Sequence, residues 1–266
     1  MWTEWTLPKN EGTRIHRFGK AMLCVSADMA GEGDVLAAMP FYPESSHAQS
    51  ASGRKKAPPA LCLPPLADPA WTRYYMGKTQ EYRLSPGYPT LPVCIRLRES
   101  FSLPPGADIQ GWIFSHIEAR IMVGGALVAS FPLRKPFKTM YGTPESGVVC
   151  RFDEADFLDI SEPTLDSLHQ DPALVAHPVR LKNSSLEPVL VSELCIYGEQ
   201  LSVYGVGTSM QSERLSFVFS ESGVRMRLDG QGALPPKAIL LTKPKVSGEE
   251  RFIERSFELF KAMTRL

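Results

Sequence analysis

Between Cys150 and Pro172 the chain reads CRFDEADFLDISEPTLDSLHQDP, and it carries no Lys or Arg from 152 to 179. Asp153, Glu154, Asp156, Asp159, Glu162, Asp166 and Asp171 fall in that interval. Carboxylates this dense can share a proton as an acid–base pair, ligate a hard cation, or face a basic surface. A calcium loop needs oxygen donors at alternate positions around a glycine, and Glu154 and Ala155 break that register with no glycine following. Asp153, Asp156 and Asp159 are spaced by three, which would set them on one face of a helical turn. Phe152, Phe157, Leu158 and Ile160 interrupt the acids, so the stretch is expected to be an anchored connector.

Charge distribution suggests what the acids face. The chain of 266 residues balances 29 basic against 29 acidic side chains. Residues 1–151 hold 17 basic and 12 acidic residues, 152–179 hold none and seven, and 180–266 hold 12 and 10. An acidic belt therefore follows a basic half that contains LRKPFK (133–138), and the belt is expected to lie against that segment or a basic partner. Nucleic-acid binding usually leaves an excess of Lys and Arg, and none is present here.

Other chemistry-bearing motifs fail on spacing. MGKT (76–79) resembles the end of a phosphate-binding loop, but Thr72 stands where its first glycine must be. YGVGTS (204–209) lacks the third glycine of a dinucleotide fingerprint and reads as a turn. His16, His47, His116, His169 and His177 form no HxH, HExxH or HxxxH pair, and the HIE at His116 lacks the PCxxC of a zinc deaminase. Cys24, Cys62, Cys94, Cys150 and Cys195 are odd in number, widely spaced and free of any CxxC, which points to buried thiols. Cys150 precedes Arg151, whose guanidinium could lower its pKa, yet seven acids follow, and an inward-facing strand thiol is expected. No cofactor, metal site or catalytic motif is expected, and the candidate binding residues are Tyr141, Arg151, Asp153, Asp156 and Asp159.

The elements that must position these groups read as strands. PVCIRLRES sets Val93, Ile95 and Leu97 opposite Cys94, Arg96 and Arg98, the period of a half-buried strand. IEARIMV alternates in the same way and meets ALVASFPL across GG, a hairpin signal. TRIHRF, AMLCVSA, VLAAMPF, PVRLKN, PVLVSELCIYG, KAILLTK and the pair RLSFVFS/GVRMRLDG around ESG read similarly. Residues 43–69, rich in Pro, Ser and Ala, read as a long surface loop. The fold class is expected to be mainly β: an antiparallel β-sandwich architecture in two sandwich-like modules, 1–151 and 179–266, joined by the acidic connector 152–178.

One amphipathic helix is expected at the C-terminus, 247–265. Ser247 and Glu250 have capping-box spacing, and Ile253, Phe257, Phe260 and Met263 make an apolar stripe. Such a helix could dock on the sheet or build a homo-oligomer. The start MWTEWTLPKN lacks a signal-peptide pattern, and no apolar run has membrane-spanning length, so a cytoplasmic protein without membrane insertion is expected.

LRKPFKTMYGTPESGVVCRF carries a resemblance. Tyr141, Gly142, Pro144, Gly147 and Arg151 match a Tyr-Gly…Pro…Gly…Arg signature, and this segment resembles domain-of-unknown-function family 432 of archaea and some bacteria. The resemblance implies a prokaryotic source and assigns no functional residue. Two functional expectations stand together. One is a non-enzymatic β-sandwich protein binding a ligand or protein partner. The other is an enzyme with a dispersed site, drawing on the belt carboxylates with Tyr141, Arg151 or His116, in hydrolytic or carbohydrate chemistry.

Overall fold

The computed structural model describes residues 2–7, 12–28, 35–42, 63–77, 79–142, 147–159, 171–221, 223–229, 237–245 and 256–257. In chain order the strands are β1 (Glu4–Thr6), β2 (Thr13–Phe18), β3 (Ala21–Asp28), β4 (Val35–Phe41), β5 (Thr72–Tyr75), β6 (Glu81–Gly87), β7 (Val93–Leu103), β8 (Asp108–His116), β9 (Glu118–Val123) and β10 (Ala126–Pro132). There follow β11 (Lys138–Tyr141), β12 (Val148–Ala155), β13 (Leu158–Asp159), β14 (Leu174–Asn183), β15 (Val189–Ile196), β16 (Val203–Val206), β17 (Ser209–Gln211), β18 (Arg214–Ser220), β19 (Gly223–Asp229), β20 (Ile239–Thr242) and β21 (Ser256–Phe257). The protein is mainly β, and its helical content among the described residues is one 3-10 turn, Gly198–Gln200.

The chain divides into two compact units, Met1–Leu84 with Arg120–Phe131, and Ser85–Ala119 with Pro132–Leu266. The acidic segment as far as Asp159 lies inside the second unit.

In the first unit, β2-β3-β4-β5 form an antiparallel sheet. The apolar runs AMLCVSA and VLAAMPF become its central strands, with Leu23, Cys24, Val25, Leu36, Ala37 and Ala38 buried. Trp71 packs on Cys24, Ala37 and Met39, and Leu63 and Leu66 rest against that cluster, so the end of the Pro-rich segment is tied down. Trp71 Nε1–H donates to Pro64 O at 3.1 Å, which satisfies the one polar atom of a buried indole. The second sheet runs β1-β6-β9-β10. Gly124 and Gly125, at φ 56° and 86°, turn β9 into β10, a conformation that L side chains adopt at a cost.

In the second unit, β11-β12-β7-β15 form one sheet, and a larger one runs β20-β16-β17-β14-β18-β19-β21 with β8 and β13 joined through β14. Ile113, Val175, Val179, Leu181, Leu215, Phe217 and Phe219 fill its core. Burying each such side chain stabilises the fold by about 1.5–3 kcal/mol. The pairings are mixed rather than purely antiparallel as expected. β12 lies parallel to β7, and β14 parallel to β17 and β18. Parallel neighbours need a long crossover, and the chain between Leu103 and Val148 provides one.

The acidic connector is anchored through β13. Leu158 pairs with Trp112, and the Phe157 ring packs on Phe101 at 5.1 Å. Gly111 makes room: a Cβ there would meet Leu158 O and Phe157 at 2.5 Å.

The C-terminal helix 247–265 is not supported. Most of that segment lies outside the described residues, and Ser256–Phe257 form a strand paired with Val224 and Arg225 of β19. Phe257 had been placed on the helix's apolar stripe, but an exposed sheet edge offers a chain segment backbone partners that a helical stripe pattern does not reveal. No helix among the described residues is long and apolar enough to cross a membrane.

Candidate functional site

The site grows from three backbone segments of the second unit. β8 ends at Ser115-His116, β12 carries Arg151 and Asp153 two residues apart and hence on one face, and Leu133–Pro136 follow β10. Short backbone bonds lock them together: Leu133 N–H donates to Ile117 O at 3.0 Å, Arg151 N–H to Pro92 O at 2.7 Å, and Phe152 N–H to Phe137 O at 2.9 Å.

Asp153 is the hub. Its side chain is 3% exposed, yet it is fully partnered. The His116 backbone N–H donates to Oδ2 at 2.7 Å, and the Glu154 N–H donates to Oδ1 at 2.9 Å. His116 Nδ1 lies 3.0 Å from both carboxylate oxygens, and Arg134 Nη1 donates to Oδ1. Burial by itself would raise this carboxyl's pKa, but the His116 hydrogen bonds and the Arg134 charge outweigh it and hold the group below its ordinary value. An ionised carboxylate only accepts, so Nδ1 of His116 must carry the ring proton. Nε2 then remains the ring's acceptor, and it has no partner among the described residues.

Beside this hub, Arg151 Nη2 donates to Glu118 Oε1 at 2.8 Å, and Arg134 Nη2 lies 3.9 Å from Glu154. His116, Glu118, Arg134, Lys135, Arg151 and Asp153 line one cleft, with Val93, Ile117, Phe152 and three prolines as its apolar part. The cleft takes in about 340 Å³, counting the space open to solvent. Three fixed cations face two carboxylates there, and Lys135 makes no ion pair among the described residues. Such a set can hold an oxyanion by charge-assisted bonds, with the imidazole as a proton acceptor. No group of three or more metal-ligating side chains gathers among the described residues.

A family model described as "Protein of unknown function (DUF432)" matches residues 1–262. The chain belongs to this family. No curated protein and no solved structure matches it.

In this DUF432 chain the five residues singled out from sequence part company. Arg151 and Asp153 line the cleft. Asp156 is exposed and pairs with Arg98 at 2.6 Å, and Asp159 is exposed on β13. Tyr141 is buried on β11, and burial, reinforced by neighbouring thiols, pushes its phenol well up. The acids did meet LRKPFK at one point, through Arg134 with Asp153 and Glu154. Arg134 belonged to that basic run, but Glu118 carried no signal beyond strand alternation.

The four described thiols are packing groups. Cys24, Cys94, Cys150 and Cys195 are buried and free, with the Cys150 and Cys195 sulfurs 3.8 Å apart. Contact with Cys150 and burial push the Cys195 thiol up, and burial pushes Cys94 to about 12. The Arg151 guanidinium serves Glu118 instead of Cys150.

His177 illustrates a different use of imidazole. It is fully buried on β14, with Nδ1 2.8 Å from Ser212 Oγ and Nε2 2.8 Å from Ser115 Oγ. Ser212 donates to Glu213 O at 2.7 Å, so it accepts from Nδ1–H while Ser115 donates to Nε2. Desolvation lowers the His177 pKa to about 3, so the ring is neutral. Asn183 is buried and donates to Leu103 O and Glu187 O, a structural role.

Proposed function

We propose that this protein is a binding module, sandwich-like in build, whose second unit takes a small oxyanion in the cleft beside His116. The ligand is a carboxylate or a phosphate. One observation carries the reading: Arg134, Lys135 and Arg151 converge with an imidazole on a single cleft, where they outnumber the two carboxylates, Glu118 and Asp153, and the rest of the lining is apolar. Arg134 and Arg151 are each held by a buried carboxylate, so they are oriented before any ligand arrives, which reduces the ordering cost of binding. Free, buried thiols fit a reducing compartment, which supports a cytoplasmic location.

Calorimetric titration of the full chain with sulfate, phosphate and citrate tests this. Lys135→Glu replaces an exposed cation with an anion at the cleft and should weaken binding about tenfold without moving the unfolding midpoint. Equal affinity in both proteins would remove the cleft from the account.

A second reading, an enzyme with a dispersed hydrolytic site, is favoured by one feature. A carboxylate fixes the His116 tautomer, the arrangement that readies a general base. Turnover of chromogenic phosphate or carboxylate esters, lost in His116→Asn, would establish it.

A further inference from the structure

His116 and Asp153 imply more than a static cation cluster. Neutral His116 presents an acceptor at Nε2, and an oxyanion is also an acceptor, so the two repel in that protonation state. Protonation converts Nε2 into a donor and adds a positive charge that Asp153 already faces from the other side of the ring. We propose that the cleft binds its oxyanion together with a proton, carried by Nε2 of His116, with Asp153 as the positioning residue that holds the imidazolium. This rests on the binding reading above and names its regulation: affinity rises as pH falls.

The groups around the ring support that direction. From β12 come Asp153 and Glu154, and from the segment after β10 come Arg134 and Lys135. Glu118 and Arg151 pair with each other across the cleft, and Leu174 of β14 sits opposite His116 in the sheet with no charge to add. His177, the nearest other imidazole on that strand, is engaged by two serines and stays neutral. The charge nearest the ring is thus a carboxylate that hydrogen-bonds it directly, while Arg134 is already engaged by that carboxylate.

Sulfate is the probe, because it does not titrate near neutrality, and citrate serves as a carboxylate arm. Binding heats at pH 6.5 in two buffers of different ionisation enthalpy report proton uptake. The expected result is uptake of a fraction of a proton per sulfate, with affinity about tenfold tighter at pH 6 than at pH 8, the worth of one charge-assisted hydrogen bond. Asn in place of His116 keeps an N–H near the Nδ1 position and deletes Nε2. His116→Asn should therefore bind sulfate at pH 6 about as wild type does at pH 8, with no uptake. Should that variant fail to fold, the buffer dependence of the wild-type chain decides alone. Sulfate binding with buffer-independent heat and equal affinity at both pH values overturns the proton coupling and leaves the binding reading standing. No binding of either anion at any pH overturns both.

Discussion

Ser115 and His116 are consecutive in β8, and the pleat sends them to opposite faces. Ser115 enters the core and donates to His177, while His116 reaches the cleft and donates to Asp153. Two imidazoles on neighbouring strands of one sheet are thus fixed, by hydroxyls in one case and by a carboxylate in the other. Hydroxyl partners supply no charge, so desolvation wins and His177 stays neutral. A carboxylate partner stabilises whichever form of the ring carries more positive charge, and it leaves Nε2 for a ligand. The identity of the partner, not the histidine, separates a packing group from a binding group.

The largest effect should come from acid. A histidine whose folded pKa is depressed contributes stability that is fully present above the unfolded value near 6.5 and is lost as pH falls toward the folded one. For His177 that window runs from about 6.5 to about 3, and for His16, desolvated and bonded to Tyr82, from about 6.5 to about 4. Urea unfolding of the whole chain should lose on the order of 4 kcal/mol across the His177 window. His177→Asn should flatten that slope, and an unchanged slope would show that the core is not where the protonation cost lies.

Next in size is Asp153→Ala. It leaves the Arg134 guanidinium and the His116 backbone N–H without their buried acceptor and should cost about 3 kcal/mol in unfolding free energy. A loss below about 1 kcal/mol would mean that water replaces the carboxylate freely. The smallest effect belongs to Asp156→Lys. The Arg98–Asp156 pair is at least half exposed on each side, so reversal should cost less than about 1 kcal/mol and should fade as salt is added. Two aspartates of one acidic run, three residues apart, should thus differ several-fold in cost.

Local pattern carried most of the strands, because alternation and the GG turn are encoded within a few residues. Val93, Ile95 and Leu97 are buried as their spacing implies, and β9 joins β10 at Gly124–Gly125. Glu118 and Arg120, read as the polar face of β9, are buried as well, and Glu118 is paired with Arg151, a distant partner that alternation cannot show. The parallel pairings were not legible either, because nothing local records which distant strand lies alongside. The site followed the same rule. Asp153 and Arg151 stood out by composition, but their partners His116, Glu118 and Arg134 sit 19 to 37 residues away along the chain. The helix expected at 247–265 shows the converse: a capping box and an apolar stripe are local signals, yet Ser256–Phe257 pair with a sheet edge.

The most direct test is a histidine-selective ¹H–¹⁵N spectrum of the full chain, recorded with and without sulfate at pH 6.5. On adding sulfate the His116 ring nitrogens should move toward imidazolium values, while those of His177 and His16 stay at neutral-imidazole positions. A His116 signal that ignores sulfate, in a sample where calorimetry shows sulfate bound, would contradict the proton coupling.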